Sequence, residues 1–379
     1  MIRCFKIVLI VFLVCYLGIG YGQEDSLKVK FDKEFYYSES MKNSSSKNRI
    51  LYFSNLGNSF YFMHLGPVID ALTLMYDSTK DIKYLNDAQL LISNILNSSV
   101  ENSNGFKSWK SYSDNKEYKV SNDKEWMLYE GHLFRYISKY AYYVSLQKDL
   151  SQDIIDFNQV LISFIDKNVW DKWMLSNNND LNVFLGVRLH NGADWANVAL
   201  YMKKLSKGYG QSKYANYLKI YNSTLHVSLI NFLSGIDNDW SSVYKEDLNR
   251  EIKRRKLSKI DPLSNSQDLA HGNHIIEYLI NSFELEKDVE LSNFKRFDKI
   301  LKTRLFSEDY SKLNVFMNLQ GEYKYIDVSD GWMKLSYVNK EFYQYFSKYF
   351  INNVNNIDES NSRLQYYAVM FNLKKNYQY

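Results

Sequence analysis

Ser266-Gln267-Asp268-Leu269-Ala270-His271-Gly272-Asn273-His274 leads straight into the apolar-periodic run Ile275 to Leu285. A helix start needs a residue such as Ser or Asp to satisfy its free N–H groups. Two histidines and an amide around the same turn exceed that need, which makes the spare side chains candidates for chemistry.

Related polar clusters stand ahead of other helices. Tyr61-Phe62-Met63-His64 precedes Leu65 to Tyr76, Glu130-Gly131-His132 precedes Leu133 to Leu146, and His190-Asn191-Gly192-Ala193-Asp194-Trp195 precedes Ala196 to Leu205. Asp330-Gly331-Trp332 precedes Met333 to Phe346. The steps from His64 to His132, Asp194, His271 and Trp332 are 68, 62, 77 and 61 positions. Within each step a second helical run follows a turn, as at Lys80-Asp81, Lys148-Asp149 and Lys287-Asp288.

Paired helices at such a period build either an open α-solenoid or a closed ring. In each pair the cluster precedes the first helix and not the second, so a closed ring gathers every cluster at one mouth. Helix N-termini there lend a positive potential suited to anions. The expected fold is all-α, an (α/α) toroid of about six to seven helical hairpins. Leu313 to Val328 alternates polar with apolar residues and is expected to form a short hairpin or loop, and Gly331 to Asn352 and Arg363 to Leu373 are expected as closing helices.

The chain opens with Arg3, Lys6 and an apolar run from Ile7 to Leu17, then small residues at Gly18, Gly20 and Gly22. This pattern predicts a signal peptide over 1–22 and one toroid domain over 23–379. A periplasmic or secreted location follows, without a membrane span after cleavage; Cys15 lacks the small preceding residue that lipidation wants. Both cysteines, Cys4 and Cys15, fall in that segment, so no disulfide or Cys-based metal site is expected in the remainder. The formal charge of +4 drops to +2 without Arg3 and Lys6, which argues against nucleic acid as a partner. A monomer is expected.

Proton abstraction beside a uronate carboxylate requires donors to neutralise that carboxylate, a base, and an acid for the leaving oxygen. His190, Asn191, His271, Asn273 and His274 supply donors. Tyr323 and Tyr325, in Gly321-Glu322-Tyr323-Lys324-Tyr325, supply phenols beside the Asp330 cluster. In this layout the chain resembles polysaccharide lyases of the helical-toroid type, most nearly the glucuronan and alginate lyases of family thirty-eight. The resemblance covers the repeat from about Tyr61 to Leu373, the secretory start and the Asn/His/Tyr inventory. It implies a β-elimination without metal or other cofactor, on an acidic polysaccharide such as alginate or glucuronan. Carried over, it puts His271 and Asn191, with His190, at the carboxylate, Tyr323 or Tyr325 at the proton, and Arg188 or Arg304 beside them. His132, Glu130, Asp194, Trp195, Asp268, Asn273, His274, Trp126, Asp330, Trp332 and Lys334 complete the expected substrate contacts.

Two other readings stay open. A glycoside hydrolase on the same fold needs two carboxylates across the bond, and Glu130, Asp194, Asp268 and Asp330 are the supply, although helix caps look the same. A glycan-binding protein would use Trp109, Trp126, Trp195 and Trp332 as stacking faces, but has no need of clustered histidines. Asp268, His271 and His274, three apart, also have the spacing of metal ligands on one helix face. Lys253-Arg254-Arg255-Lys256 forms a basic run that reads as a solvated face or as an attractor of anionic polymer.

Overall fold

The computed structural model describes residues 26–38, 46–112, 123–185, 189–206, 211–227, 268–301, 305–314, 322–353 and 362–377. The expected signal segment, Arg188, Arg304 and the basic run 253–256 lie outside these. Among the described residues no helix is long and apolar enough to cross a membrane.

Among the described residues the chain is all-α apart from two short antiparallel strand pairs. Its helices are α1 (26–36), α2 (Lys47–Ser54), α3 (Phe62–Thr79), α4 (Ile82–Asn97), α5 (Met127–Ser145), α6 (Gln152–Phe164), α7 (Lys172–Ser176), α8 (Asn182–Leu185), α9 (Leu189–Leu205), α10 (Gln211–Val227), α11 (Leu269–Leu285), α12 (Leu291–Ile300), α13 (Lys340–Asn353) and α14 (Ser362–Tyr377). A π-helical turn, Ile165–Asp171, joins α6 to α7. A 3-10 helix, Trp332–Tyr337, precedes α13. Strand β1 (Val100–Glu101) pairs with β2 (Lys107–Ser108), and β3 (Leu313–Asn314) with β4 (Tyr323–Lys324), both antiparallel.

Two kinds of helix follow from two kinds of pattern. α4 buries Tyr84, Leu85, Ala88, Leu91, Ile92 and Ile95, a single stripe at i, i+3, i+4 spacing, as an outer helix does. α3, α5, α9 and α11 are buried nearly all round, because each meets neighbours on both flanks, and α3, α5 and α9 also have an outer helix behind. Each fully buried Leu or Ile contributes roughly 1.5–3 kcal/mol of transfer free energy. The packing runs in a circuit: α3 on α5, α5 on α9, α9 on α11, α11 on the 3-10 helix, that helix on α14, and α14 back on α3. Behind it α4 backs α3, α6 backs α5, α10 backs α9 and α13 backs the 3-10 helix.

Two of the three Lys-Asp turns share a left-handed lysine. Lys80 and Lys287 both take a left-handed φ, 56° and 63°, just past the ends of α3 and α11. Asp81 then caps α4 by accepting from the Lys83 N–H at 3.1 Å. Two elements differ from expectation. The closing run from Gly331 to Asn352 is not one helix but a 3-10 segment and α13, split at Val338 and Asn339. The polar clusters lie within the first two turns of α3, α5 and α9, since those helices start earlier than the apolar periodicity does.

Side chains from the circuit meet in a buried ionic network. Asp70 of α3 accepts from Lys139 of α5 at 2.7 Å and from Lys334 at 2.9 Å. Lys334 also pairs with Glu277 of α11. Arg135 of α5 reaches Asp194 of α9 at 2.9 Å, Glu277 at 3.1 Å and Asp330, which Tyr136 also meets. Gln365 of α14 donates to Asp70 at 2.9 Å. Every element of the circuit therefore places a polar side chain on the network.

Candidate histidine site

Three neighbouring helices each carry histidine into the same place. His132 lies in the second turn of α5, His190 in the first turn of α9, and His271 and His274 in the first two turns of α11. The rings form a chain: His132 to His274 with centroids 5.2 Å apart, His274 to His190 at 5.8 Å, and His190 to His271 at 4.3 Å. Only the His271 end of it is open to solvent. The His271 side chain is 46% exposed and that of His274 only 13%.

At the open end stands an Asp–His dyad. Asp268 caps α11 by accepting from the His271 N–H at 2.9 Å, and its second oxygen lies 2.6 Å from His271 Nδ1. Burial works against the Asp268 charge, but the hydrogen bonds from His271 outweigh it and hold the carboxyl below its usual range. An ionised carboxylate only accepts, so Nδ1 carries the hydrogen, and in the neutral ring the lone pair then lies on His271 Nε2. One side chain thus serves as cap and as orienting partner. Asn191, next to His190, is half-buried with its Oδ1 lacking a hydrogen-bond partner among the described residues.

Deeper in, Asp194 accepts from His274 Nδ1 at 2.8 Å and pairs with Arg135. Burial pushes Asp194 up to about 6 in spite of Arg135. Burial and the Arg135 charge push His132 down to about 3 and hold His274 well below the usual imidazole range, so both rings are neutral at pH 7. Asp330 sits beyond. Its burial is overcome by Arg135 and Lys334, which hold its carboxyl far below the normal range.

Several expected contacts turn out to be structural. Trp195 is fully buried against Phe184 and Trp170, with centroids 4.9 and 6.2 Å away. Trp332 is buried with Nε1 donating to the Leu269 carbonyl at 2.9 Å, and Trp109 likewise to Ile95 at 2.8 Å. None of these three presents a face to a sugar. Trp126 is half-buried at the N-terminal boundary of α5. Asn273 is a bracket: its Nδ2 donates to the Asp327 carbonyl at 2.7 Å, while Oδ1 accepts from Gly331 and Trp332 N–H, each at 3.1 Å. Lys334 and Asp330 are spent in the network.

Glu130 is buried between Lys172 Nζ at 2.5 Å and Trp173 Nε1 at 2.8 Å, with burial raising its carboxyl. Glu130 and Asp330 are thus paired with cations, and Asp194 and Asp268 each with a histidine. The tyrosines also part from expectation. Tyr323 is exposed on β4, while Tyr325 stacks on Tyr349 with centroids 5.9 Å apart, its hydroxyl pushed up by burial. Neither shows a contact with the histidines among the described residues. The metal spacing of Asp268, His271 and His274 does not converge either, because Asp268 and His271 hold each other while His274 turns to Asp194. His64 stacks on Phe53 at 5.8 Å, and His226 is exposed on α10.

Arg135, Lys139, Asp70 and Glu277 went unremarked in the sequence, yet they surround the site. Their signal is a charge inside an apolar run, as in Leu133-Phe134-Arg135-Tyr136-Ile137 and Val68-Ile69-Asp70-Ala71-Leu72. Such charges are rarely buried unless paired. No protein family, curated protein or solved structure matches the chain.

Proposed function

We propose that the chain is a polysaccharide lyase that cleaves an acidic, uronate-containing polysaccharide by β-elimination, on a ring of helical hairpins. The observation that carries this is the exposed Asp268–His271 dyad set against His190, with Asn191 alongside at the start of α9. His271 Nε2 takes the proton from the carbon beside the uronate carboxylate. The electron pair released forms the ring double bond and expels the glycosidic oxygen, which takes a proton from His190 in its imidazolium form, leaving that ring neutral. The Asn191 amide and the positive N-terminal end of α9 hold the carboxylate and stabilise the charge that develops on it. The base is therefore a histidine, not Tyr323 or Tyr325.

The test mixes the purified protein with alginate, glucuronan, pectate and glycosaminoglycans, with and without a chelator, and follows the ultraviolet absorbance of an unsaturated uronate. A rise on one polymer that disappears in His271→Ala supports the reading and names the substrate. Reducing sugar released without that absorbance would replace it with a hydrolase.

A further inference from the structure

We propose that His132, Asp194 and His274 form a binding site for one divalent transition-metal ion, at the inner end of the histidine chain. One ring nitrogen from each histidine and one oxygen of Asp194 all lie within 4.8 Å of one another. Ligand atoms held at about 2.0–2.2 Å from an ion sit roughly 3–4 Å apart, so the three side chains need close by only about an ångström to bind. The set is two imidazoles and one carboxylate. That suits Zn2+ or another borderline first-row ion, and three protein ligands leave a position open for water or substrate.

Two independent observations point to a missing cation. Asp194 is fully buried, yet its Oδ2 has no hydrogen-bond partner among the described residues, nor has the buried Nε2 of His132. Buried polar atoms are normally satisfied, and each exception calls for an explanation such as an ion. The second observation is charge. Four buried carboxylates, Asp70, Asp194, Glu277 and Asp330, face three buried cations, Arg135, Lys139 and Lys334. Carboxylates thus outnumber their lysine and arginine partners in the network. Arg135 is the obvious opponent of a second cation here. Its charge is already divided among Asp194, Glu277 and Asp330, and its 3.5 Å approach to His132 Nδ1 is at the outer limit of a hydrogen bond, so it does not fix that ring's tautomer.

Metal binding at this trio stands apart from the lyase reading.

The experiment strips the full chain with a chelator, removes the chelator by dialysis, and titrates with Zn2+ by calorimetry and with Co2+ by visible absorption. The expected result is one ion per chain, a raised thermal midpoint, and at least a tenfold loss of affinity in His132→Ala, His274→Ala and Asp194→Asn, with His226→Ala and His271→Ala unchanged. Absence of saturable binding overturns the proposal. So does full binding in folded His132→Ala or His274→Ala, or binding lost in His271→Ala alone. Should the inner variants fail to fold, histidine nitrogen NMR of the wild-type chain decides: Zn2+ must shift two imidazoles that are neither His271 nor His226, and a shift at His271 counts against the site. These readouts involve no polysaccharide, so their failure and that of the lyase assay are told apart.

Discussion

The imidazoles of His190 and His271 face each other with centroids 4.3 Å apart, one buried at the start of α9 and the other exposed at the start of α11. Neighbouring inner helices thus each spend a first-turn position on a titratable ring. Helix starts need no such pair, and packing alone would favour an aliphatic contact.

If His271 is the base, His271→Ala should lower turnover about 10²–10⁴-fold. Its side chain is half exposed and packs little, so the unfolding free energy should stay within about 0.5 kcal/mol of wild type. Asp268→Asn should lower turnover as well, since the ring loses its orienting acceptor, with a smaller loss of stability because Asn is itself a good cap. Urea unfolding beside the elimination assay separates the two effects. Equal losses of stability and activity in His271→Ala would return the residue to a structural role.

Tyr323→Phe and Tyr325→Phe give the opposite expectation. With no histidine contact among the described residues and the Tyr325 hydroxyl raised by burial, each variant should keep turnover within a few-fold of wild type. A loss of several orders in either, measured on the polymer that the wild type cleaves, would restore a phenolic base.

The repeat of apolar runs made the helices legible, and first-turn histidines on neighbouring inner helices made most of the site legible. His190, His271, His274, His132, Asp194 and Asp268 do converge. What the sequence hid is the sorting of each polar residue between site and scaffold. Asn273 looks like Asn191 as a residue type, but only the three-dimensional approach of Gly331 turns it into a bracket. Asp330 and Lys334 looked like mouth residues, because their partners Arg135, Asp70 and Glu277 lie 57 to 264 positions away. Tryptophans are ambiguous for the same reason: stacking on sugar and filling a core require the same side chain.

The bracket between α11 and the 3-10 helix is open to test. A Cβ at Gly331 would lie 1.9 Å from the Asn273 carbonyl oxygen, a backbone atom that cannot step aside. The φ there is −127°, so the objection is steric and not conformational. Gly331→Ala should destabilise by about 1–3 kcal/mol or more as an overpacked contact. Asn273→Ala should cost about 1–3 kcal/mol by stranding the Gly331 and Trp332 N–H groups. Because both disturb one contact, the double variant should cost less than the sum in urea unfolding. Additive losses would mean the two residues act apart.

Asp70 should set part of the acid sensitivity of the fold. Burial opposes its charge, but Lys139 and Lys334 outweigh that and hold its carboxyl well below the usual range. A carboxyl whose folded value lies below its unfolded value of about 3.9 binds fewer protons folded than unfolded in that window. Its stabilisation is complete above about pH 4 and is lost as pH falls toward the folded value. Asp70→Asn should lower stability at neutral pH by about 3–5 kcal/mol, since Lys139 loses its direct partner and Lys334 keeps only Glu277. The same variant should show a shallower fall of unfolding free energy between about pH 4 and pH 2, by up to about 1.4 kcal/mol per pH unit. Urea unfolding across that range measures both. An unchanged slope with reduced stability would show that Asp70 contributes hydrogen bonds and not its charge, and would move the acid response to Asp330.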